Sequence, residues 1–270
     1  MMSADVPAVD AATIVLVRDA ASGGIEVLLL ERHIDSDFAG GALVFPGGKV
    51  DVADRELDPS RWSVGDLDAW STVLGVTSDA DALGLLVAGV RETFEEVGLL
   101  FARRSDGSWV TAEDLSSPPF RDARQHLATR GQRWDWRPFL AAQGLTLDLD
   151  ALAMWSWWVT PRGQHKRFDT RFLIARALPG QIAAHDDVEA TGVAWMQPED
   201  ALSAHEQGQA TVIFPTRRNL EALARFPDAS SAWAAARDGE VDARRIEPTI
   251  LQVDGRVMVQ HPFEDEPSIV

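Results

Sequence analysis

The stretch that most restricts this chain is Arg91-Glu92-Thr93-Phe94-Glu95-Glu96-Val97-Gly98-Leu99. Leu83, Leu86, Val90, Phe94 and Val97 recur at helical spacing and mark a core-facing stripe. Glu92 stands i,i+3 to Glu95 and i,i+4 to Glu96, so three carboxylates project from one side of the same helix. Gly98 supplies the stop, because glycine accepts the left-handed conformation that closes a helix.

Like charges stacked on one face repel by a few tenths of a kcal/mol per pair. Taken alone, E-x-x-E-E is also what a solvated acidic face looks like. The crowding becomes favourable if a divalent cation sits among the oxygens, and Mg²⁺ takes carboxylates, waters and substrate phosphate. Upstream, Phe45-Pro46-Gly47-Gly48-Lys49-Val50-Asp51 reads as an apolar strand end followed by a glycine turn. A paired glycine there lets backbone approach an anion closely.

A Gly-Gly turn feeding an Arg-Glu-x-x-Glu-Glu helix resembles the Nudix box, G-x5-E-x7-R-E-U-x-E-E-x-G-U with U aliphatic. Gly48, Arg91, Glu92, Glu95, Glu96, Gly98 and Leu99 fall on that pattern. Thr93 stands at the aliphatic place, with Phe94 beside it, and Asp54 stands where the pattern has its first glutamate. Residues 55 to 90 separate Asp54 from Arg91 where the pattern has seven residues, an insertion of about 29. That split resembles the coenzyme A diphosphatase branch of the family. Leu28, Leu29, Arg32, Gly41 and Phe45 to Gly48 match that branch's CoA box, whereas Leu30, His33 and Asp37 depart from it. Trp157-Trp158-Val159-Thr160-Pro161 and Lys166-Arg167-Phe168-Asp169-Thr170-Arg171-Phe172 are similar to a further segment of the branch.

The resemblance implies an α/β fold, the Nudix α/β/α sandwich with a mixed sheet and helical additions. It implies hydrolysis of a diphosphate linked to a nucleoside, with coenzyme A or acyl-CoA as substrate. By the same route Glu92, Glu95 and Glu96 are expected to ligate Mg²⁺ or Mn²⁺, with Gly47 and Gly48 backbone completing the site. Arg91 is expected to hold a box carboxylate in orientation; its simpler reading is a surface ion pair worth under about 1 kcal/mol. The base is Glu96 or another box glutamate, or Glu189, in a loop similar to one that carries an extra carboxylate in several Nudix enzymes. Arg32, Arg162, Lys166, Arg167 and Arg171 are the candidates to meet substrate phosphates, Arg171 being open to a structural role because it lies in a strand. Two other readings are weighed. One keeps the chemistry and changes the substrate to NADH, ADP-ribose or another dinucleotide, on the departures at 30, 33 and 37. The other is a silent nucleotide-binding or regulatory module, against which the intact carboxylate set argues.

Composition bounds the rest. The chain has 270 residues, 46% hydrophobic and 25% charged, and no cysteine, which excludes a disulfide framework and cysteine-ligated metal. A net charge of −17 disfavours nucleic-acid binding. The expected partner is a small nucleotide, without nucleic acid or membrane, and a homodimer is left open. No run reaches the roughly 20 apolar residues of a membrane span, and Met1 to Asp10 lacks a basic segment, so a cytoplasmic location is expected. No Ser/His/Asp constellation is legible.

Patterning predicts one domain over residues 11–260, with tails at 1–10 and 261–270. An insertion over 55–85 reads equally as a cap over the core or as a wall of the substrate cleft, and 112–150 reads as a helical addition. Strands are expected over 11–18, 25–32, 42–45, 171–178 and 191–196, and a hairpin around Asp254-Gly255. Phe120 to Leu127 reads as a solvated helix, and the tryptophans of 155–158 as core.

Overall fold

The first strand is buried on both sides, and the rest of the fold is laid against it. The computed structural model describes residues 6–32, 41–129, 134–184, 190–253 and 255–269. β1 (Val9–Asp19) alternates: Ala12, Ile14 and Leu16 enter one core, Val15 and Val17 the other. That is the two-residue period of a pleated strand with both faces covered. A glycine turn returns the chain into the antiparallel β2 (Ile25–Arg32). β3 (Ala42–Val44) pairs with β2, and β4 (Gly47–Lys49) pairs antiparallel with the first half of β1. Gly47 and Gly48 are therefore strand residues, not the turn that was expected. Neither has positive φ, and the bend falls on Pro46.

The insertion folds as two 3-10 turns (Val52–Glu56 and Pro59–Arg61), β5 (Trp62–Ser63) and α1 (Leu67–Leu74). Leu74 is fully buried, and Trp62 and Trp70 pack on the core beside it. α2 (Asp79–Val97) starts inside the span assigned to the insertion. The reason is local: the Ser78 side chain accepts a hydrogen bond from the Asp81 N–H, and Asp79 and Asp81 face the positive end of the helix. Gly98 ends it at φ 69°, as expected.

β6 (Ala102–Arg103), α3 (Ala112–Ser116), α4 (Pro118–Ala128), α5 (Arg137–Ala142) and β7 (Thr146–Asp148) follow. β5, β7 and β6 form a small sheet that joins the insertion to this region. The chain then runs through β8 (Leu152–Val159), β9 (Phe168–Arg176), β10 (Ala190–Met196), α6 (Pro198–Glu206) and β11 (Thr211–Val212). α7 (Phe214–Leu223), α8 (Ala229–Arg237), β12 (Arg245–Ile246), β13 (Thr249–Val253), β14 (Arg256–Gln260) and β15 (Ser268–Ile269) complete it.

Among the described residues the main sheet has nine strands, in the order β11-β3-β2-β1-β9-β8-β12, with β10 on β2 and β4 on β1. β1 and β9 run parallel and their neighbours mostly antiparallel, so the sheet is mixed. Side chains of α1, α2, α4 and α5 cover one face, and those of α6, α7 and α8 cover the other. This is a three-layer α/β/α arrangement. Of the expected tails, the described parts join the fold: β1 begins at Val9 with the Val6 carbonyl accepting from Arg167, and β15 pairs with β14, while residues 1–5 and 270 lie outside the described residues.

Candidate active site

Two adjacent buried box positions show how α2 is held, Thr93 at the aliphatic place and Phe94 next to it. Thr93 is fully buried, and its hydroxyl donates to the Gly89 carbonyl at 2.8 Å, so a hydroxyl replaces an aliphatic side chain with no unsatisfied group. Phe94, also buried, stacks on Phe139. The opposite side of the helix then presents Arg91, Glu92, Glu95 and Glu96 to β4.

Arg91 is the hub. Its Nε and Nη2 reach the two oxygens of Asp54 at 3.0 Å each, a bidentate fork. Nη2 also donates to the Lys49 carbonyl at 2.8 Å. Nη1 donates to Glu92 Oε1 at 2.9 Å and lies 3.5 Å from Glu95 Oε2. Asp54 has no exposed surface, and Arg91 keeps 6%. Burial works against the guanidinium's charge, but Glu92, Asp54 and Glu95 outweigh it and push its pKa above the usual arginine range. Burial also raises the Asp54 carboxyl, and Arg91 opposes that. The simpler expectation of a surface ion pair does not fit this geometry, because neither partner is on the surface.

The two glycines of β4 do different work. Gly47 donates its N–H to Glu96 Oε2 at 2.8 Å, and a Cβ there would lie 2.5 Å from the Ala12 carbonyl oxygen, inside the pairing with β1. A Cβ on Gly48 would lie 2.5 Å from Glu92 Cδ and Oε1. The space at Gly48 is thus a cradle for a carboxylate. Gly48→Ala is expected to displace Glu92 while leaving the sheet paired; metal titration should show weaker binding with an unchanged circular dichroism spectrum.

Most of these groups border a cleft of about 790 Å³; Asp54 and Glu96 are buried behind its lining. Glu92, Glu95, Arg91, Gly47, Gly48, Lys49 and Asp51 contribute to it, as do Arg32 and Lys166. The chain's two lysines, Lys49 and Lys166, both border this cleft. The remaining lining is largely apolar and includes Phe45, Trp158, Phe172, Phe214 and Val259. No residue of 55–78 borders it, so the insertion stands as a cap on the core and not as a cleft wall.

The other expected cations lie elsewhere. On β9, Phe168, Thr170 and Phe172 border the cleft, and the alternation turns Asp169 and Arg171 the other way. Arg171 is buried, bonds Asp169 Oδ1 at 2.6 Å and the Leu74 carbonyl at 3.0 Å, and lies over Trp157. Arg167 is buried and bonds the Thr160 carbonyl, the Val6 carbonyl and Glu247. Arg162 is outside the cleft lining and pairs with Glu247 at 3.2 Å. Arg162 and Arg167, expected from loop position to meet phosphates, pair with Glu247 instead, and Arg171 takes the structural role left open for a strand residue. Glu189, with His33, Asp37 and His185, lies outside the described residues.

Sequence reading also missed Arg124. It lies on the helix expected to be solvated, yet Phe120 and Ala123 are buried there. Arg124 donates to the Glu95 and Glu96 carbonyls at 2.9 and 2.8 Å, satisfying the open end of α2 beneath the carboxylates. No spacing in the sequence announces that contact.

The family model for the NUDT19 Nudix domain matches residues 74–222. This chain belongs to the Nudix hydrolases. The crystal structure of a Nudix hydrolase from Alicyclobacillus acidocaldarius is similar at 30% identity and a TM-score of 0.66, covering 84% of this chain and 96% of that one. The acyl-coenzyme A diphosphatase NUDT19 of Homo sapiens is 28% identical over 89% of this chain and 72% of its own length. The corresponding protein of Xenopus laevis is 28% identical over 89% and 70%. Pro248 and Val259, which border the cleft of this Nudix hydrolase, lie beyond the matched residues.

Nudix hydrolases use divalent metal ions. The residues here fit one by donor chemistry: carboxylate and carbonyl oxygens alone, with the Gly48 cradle beside Glu92. Among the described residues no three acidic side chains converge on one point, since Arg91 and the Gly47 N–H hold the carboxylates. Among the described residues no single helix is long and apolar enough to cross a membrane.

Proposed function

We propose that this Nudix hydrolase cleaves the diphosphate of coenzyme A or acyl-CoA, releasing 3′,5′-ADP and (acyl-)4′-phosphopantetheine. The observation that carries the reading is one cleft that brings Glu92 and Glu95 of α2, the Gly47-Gly48 strand, the cations Arg32, Lys49, Arg91 and Lys166, and a long apolar wall together. The relatives named as acyl-coenzyme A diphosphatases support the substrate class.

Glu92, Glu95, Glu96 and the Gly48 carbonyl would hold Mg²⁺ or Mn²⁺, and the ion would neutralise the diphosphate and activate water. Arg91 fixes the orientation of Glu92 through the 2.9 Å bond, and the Gly47 N–H does the same for Glu96. Lys49, Arg32 and Lys166 offset the negative charge of the approaching phosphates. Glu96 is the first choice for the base, with Glu189 as the alternative.

The dinucleotide reading loses one of its grounds. Leu30, which departs from the CoA box, has 1% exposure and packs in the core, so it reports on packing and not on substrate. Turnover of CoA, NADH and ADP-ribose should be compared side by side with Mg²⁺ and with Mn²⁺. CoA should give the highest kcat/KM, by about tenfold or more; a clear preference for NADH or ADP-ribose would replace this reading.

A further inference from the structure

Three of the last four carbonyls of α2 are held by groups from elsewhere in the chain. The helix ends at Val97, so the carbonyls of residues 94 to 97 have no partner within it. Gly98, at φ 69°, returns its N–H to the Phe94 carbonyl at 3.0 Å. Arg124 takes the next two: Nε donates to the Glu95 carbonyl at 2.9 Å and Nη2 to the Glu96 carbonyl at 2.8 Å. The Ala184 N–H donates to the Val97 carbonyl at 3.0 Å, and Arg124 Nη2 donates in turn to the Ala184 carbonyl at 2.5 Å. One guanidinium thus ties the end of α2 to residues 181–184, where the Gln181 side chain also bonds both backbone groups of Leu100.

Arg124 is itself held in place. Phe120 and Ala123 of the same helix are buried; Phe120 meets Phe139 edge-on, and Phe139 stacks on Phe94 of α2. A Cβ on Gly98 would lie 2.9 Å from Arg124 Nη1 and 3.2 Å from its Cζ. The glycine that closes the helix therefore also leaves room for the guanidinium. Charge points the same way. The C-terminal end of a helix carries partial negative charge, and α2 has no basic residue in its last turn. Glu92, Glu95 and Glu96 add three carboxylates within its last six residues. Helix ends fray unless their carbonyls find partners. Fraying here would carry away the side chains of two of the three proposed metal ligands.

We infer that Arg124 is a positioning residue for the metal site: by fixing the Glu95 and Glu96 carbonyls, it holds those two carboxylates where they receive the ion. This rests on the metal site proposed above and deepens it. A plain charge effect has the opposite sign. A nearby cation repels a divalent ion, so its removal tightens metal binding if charge is all that Arg124 supplies. Removing a group that orients the ligands weakens binding.

The test is Mn²⁺ titration of the full chain, with free Mn²⁺ read by electron paramagnetic resonance well below the Tm of each variant. Arg124→Met keeps the aliphatic stem and removes the guanidinium. Its Mn²⁺ dissociation constant should rise about tenfold or more, the scale for a residue that orients a metal ligand. An unchanged or lower constant would overturn the inference and leave Arg124 as a cap that serves stability alone. If Arg124→Met does not fold, Arg124→Lys decides, because it keeps the charge and loses the planar fork. A constant still about threefold or more above wild type supports positioning by the fork, and one equal to wild type overturns it. Failure of the metal site itself is seen separately, in proteins that retain Arg124. Wild type that takes up no Mn²⁺, or Glu95→Gln that binds it as tightly as wild type, removes the site and this role of Arg124 with it. None of these measurements needs turnover.

Discussion

Glu95→Gln and Glu96→Gln are each expected to lower kcat by at least about 10²-fold with the fold intact. Glutamine keeps the volume and an acceptor oxygen, so the 2.8 Å bond from the Gly47 N–H to residue 96 survives. What is lost is a negative charge at the end of α2. That charge is held at a cost, because Glu95 and Glu96 each repel Glu92 on the same helix face. Arg91 offsets part of the repulsion, and a divalent ion would offset the rest. The check is kcat for CoA at saturating Mg²⁺ or Mn²⁺, with a melting curve for each variant. Both variants turning over like wild type, with unchanged melting, would remove the carboxylates from the metal site.

The second large effect is on stability. Arg91→Met is expected to cost about 3–5 kcal/mol, because it strands the fully buried Asp54 without its partner. At this chain length that is a fall in Tm of roughly 10 °C. The energy resides in the penalty for an unpaired buried carboxylate more than in the attraction itself. The double variant Arg91→Met with Asp54→Leu should therefore recover most of the loss, since an apolar pair of similar volume needs no charge to balance it. Denaturant unfolding of the three variants measures this. A cost below about 1 kcal/mol for Arg91→Met, as for an exposed pair, would contradict the burial seen here.

What the sequence made legible was local. The α2 stripe, its carboxylates and its glycine stop follow from spacing alone, and the structure places them accordingly. So do the hairpin at Gly23-Gly24 and the paired strands on either side of residues 254 and 255. The errors share one cause. Gly47-Gly48 after a proline looks like a turn, and only the approach of β1 makes it a strand. Arg167 and Arg171 look like cations waiting for phosphate, but Glu247, 80 residues away, takes Arg167, and the Leu74 carbonyl, 97 residues away, helps Asp169 to hold Arg171. The apolar wall is assembled from positions 45, 158, 172, 214 and 259, which no periodicity links. Pairing across the fold is tertiary information, and a one-dimensional pattern does not hold it.

The Asp54–Arg91 fork joins the last residue before the long insertion to the first residue of the motif after it. The two halves of the catalytic motif are thereby bolted together across the gap, and whatever lies between them is a loop closed by that bolt. Closing a longer loop costs only slightly more, growing with the logarithm of its length. Residues 55–78 can therefore change in length at little entropic cost so long as Leu57, Trp62, Trp70 and Leu74 keep their places against the core. A foreign module would enter through its exposed turns, such as residues 58–60, and leave those anchors in place.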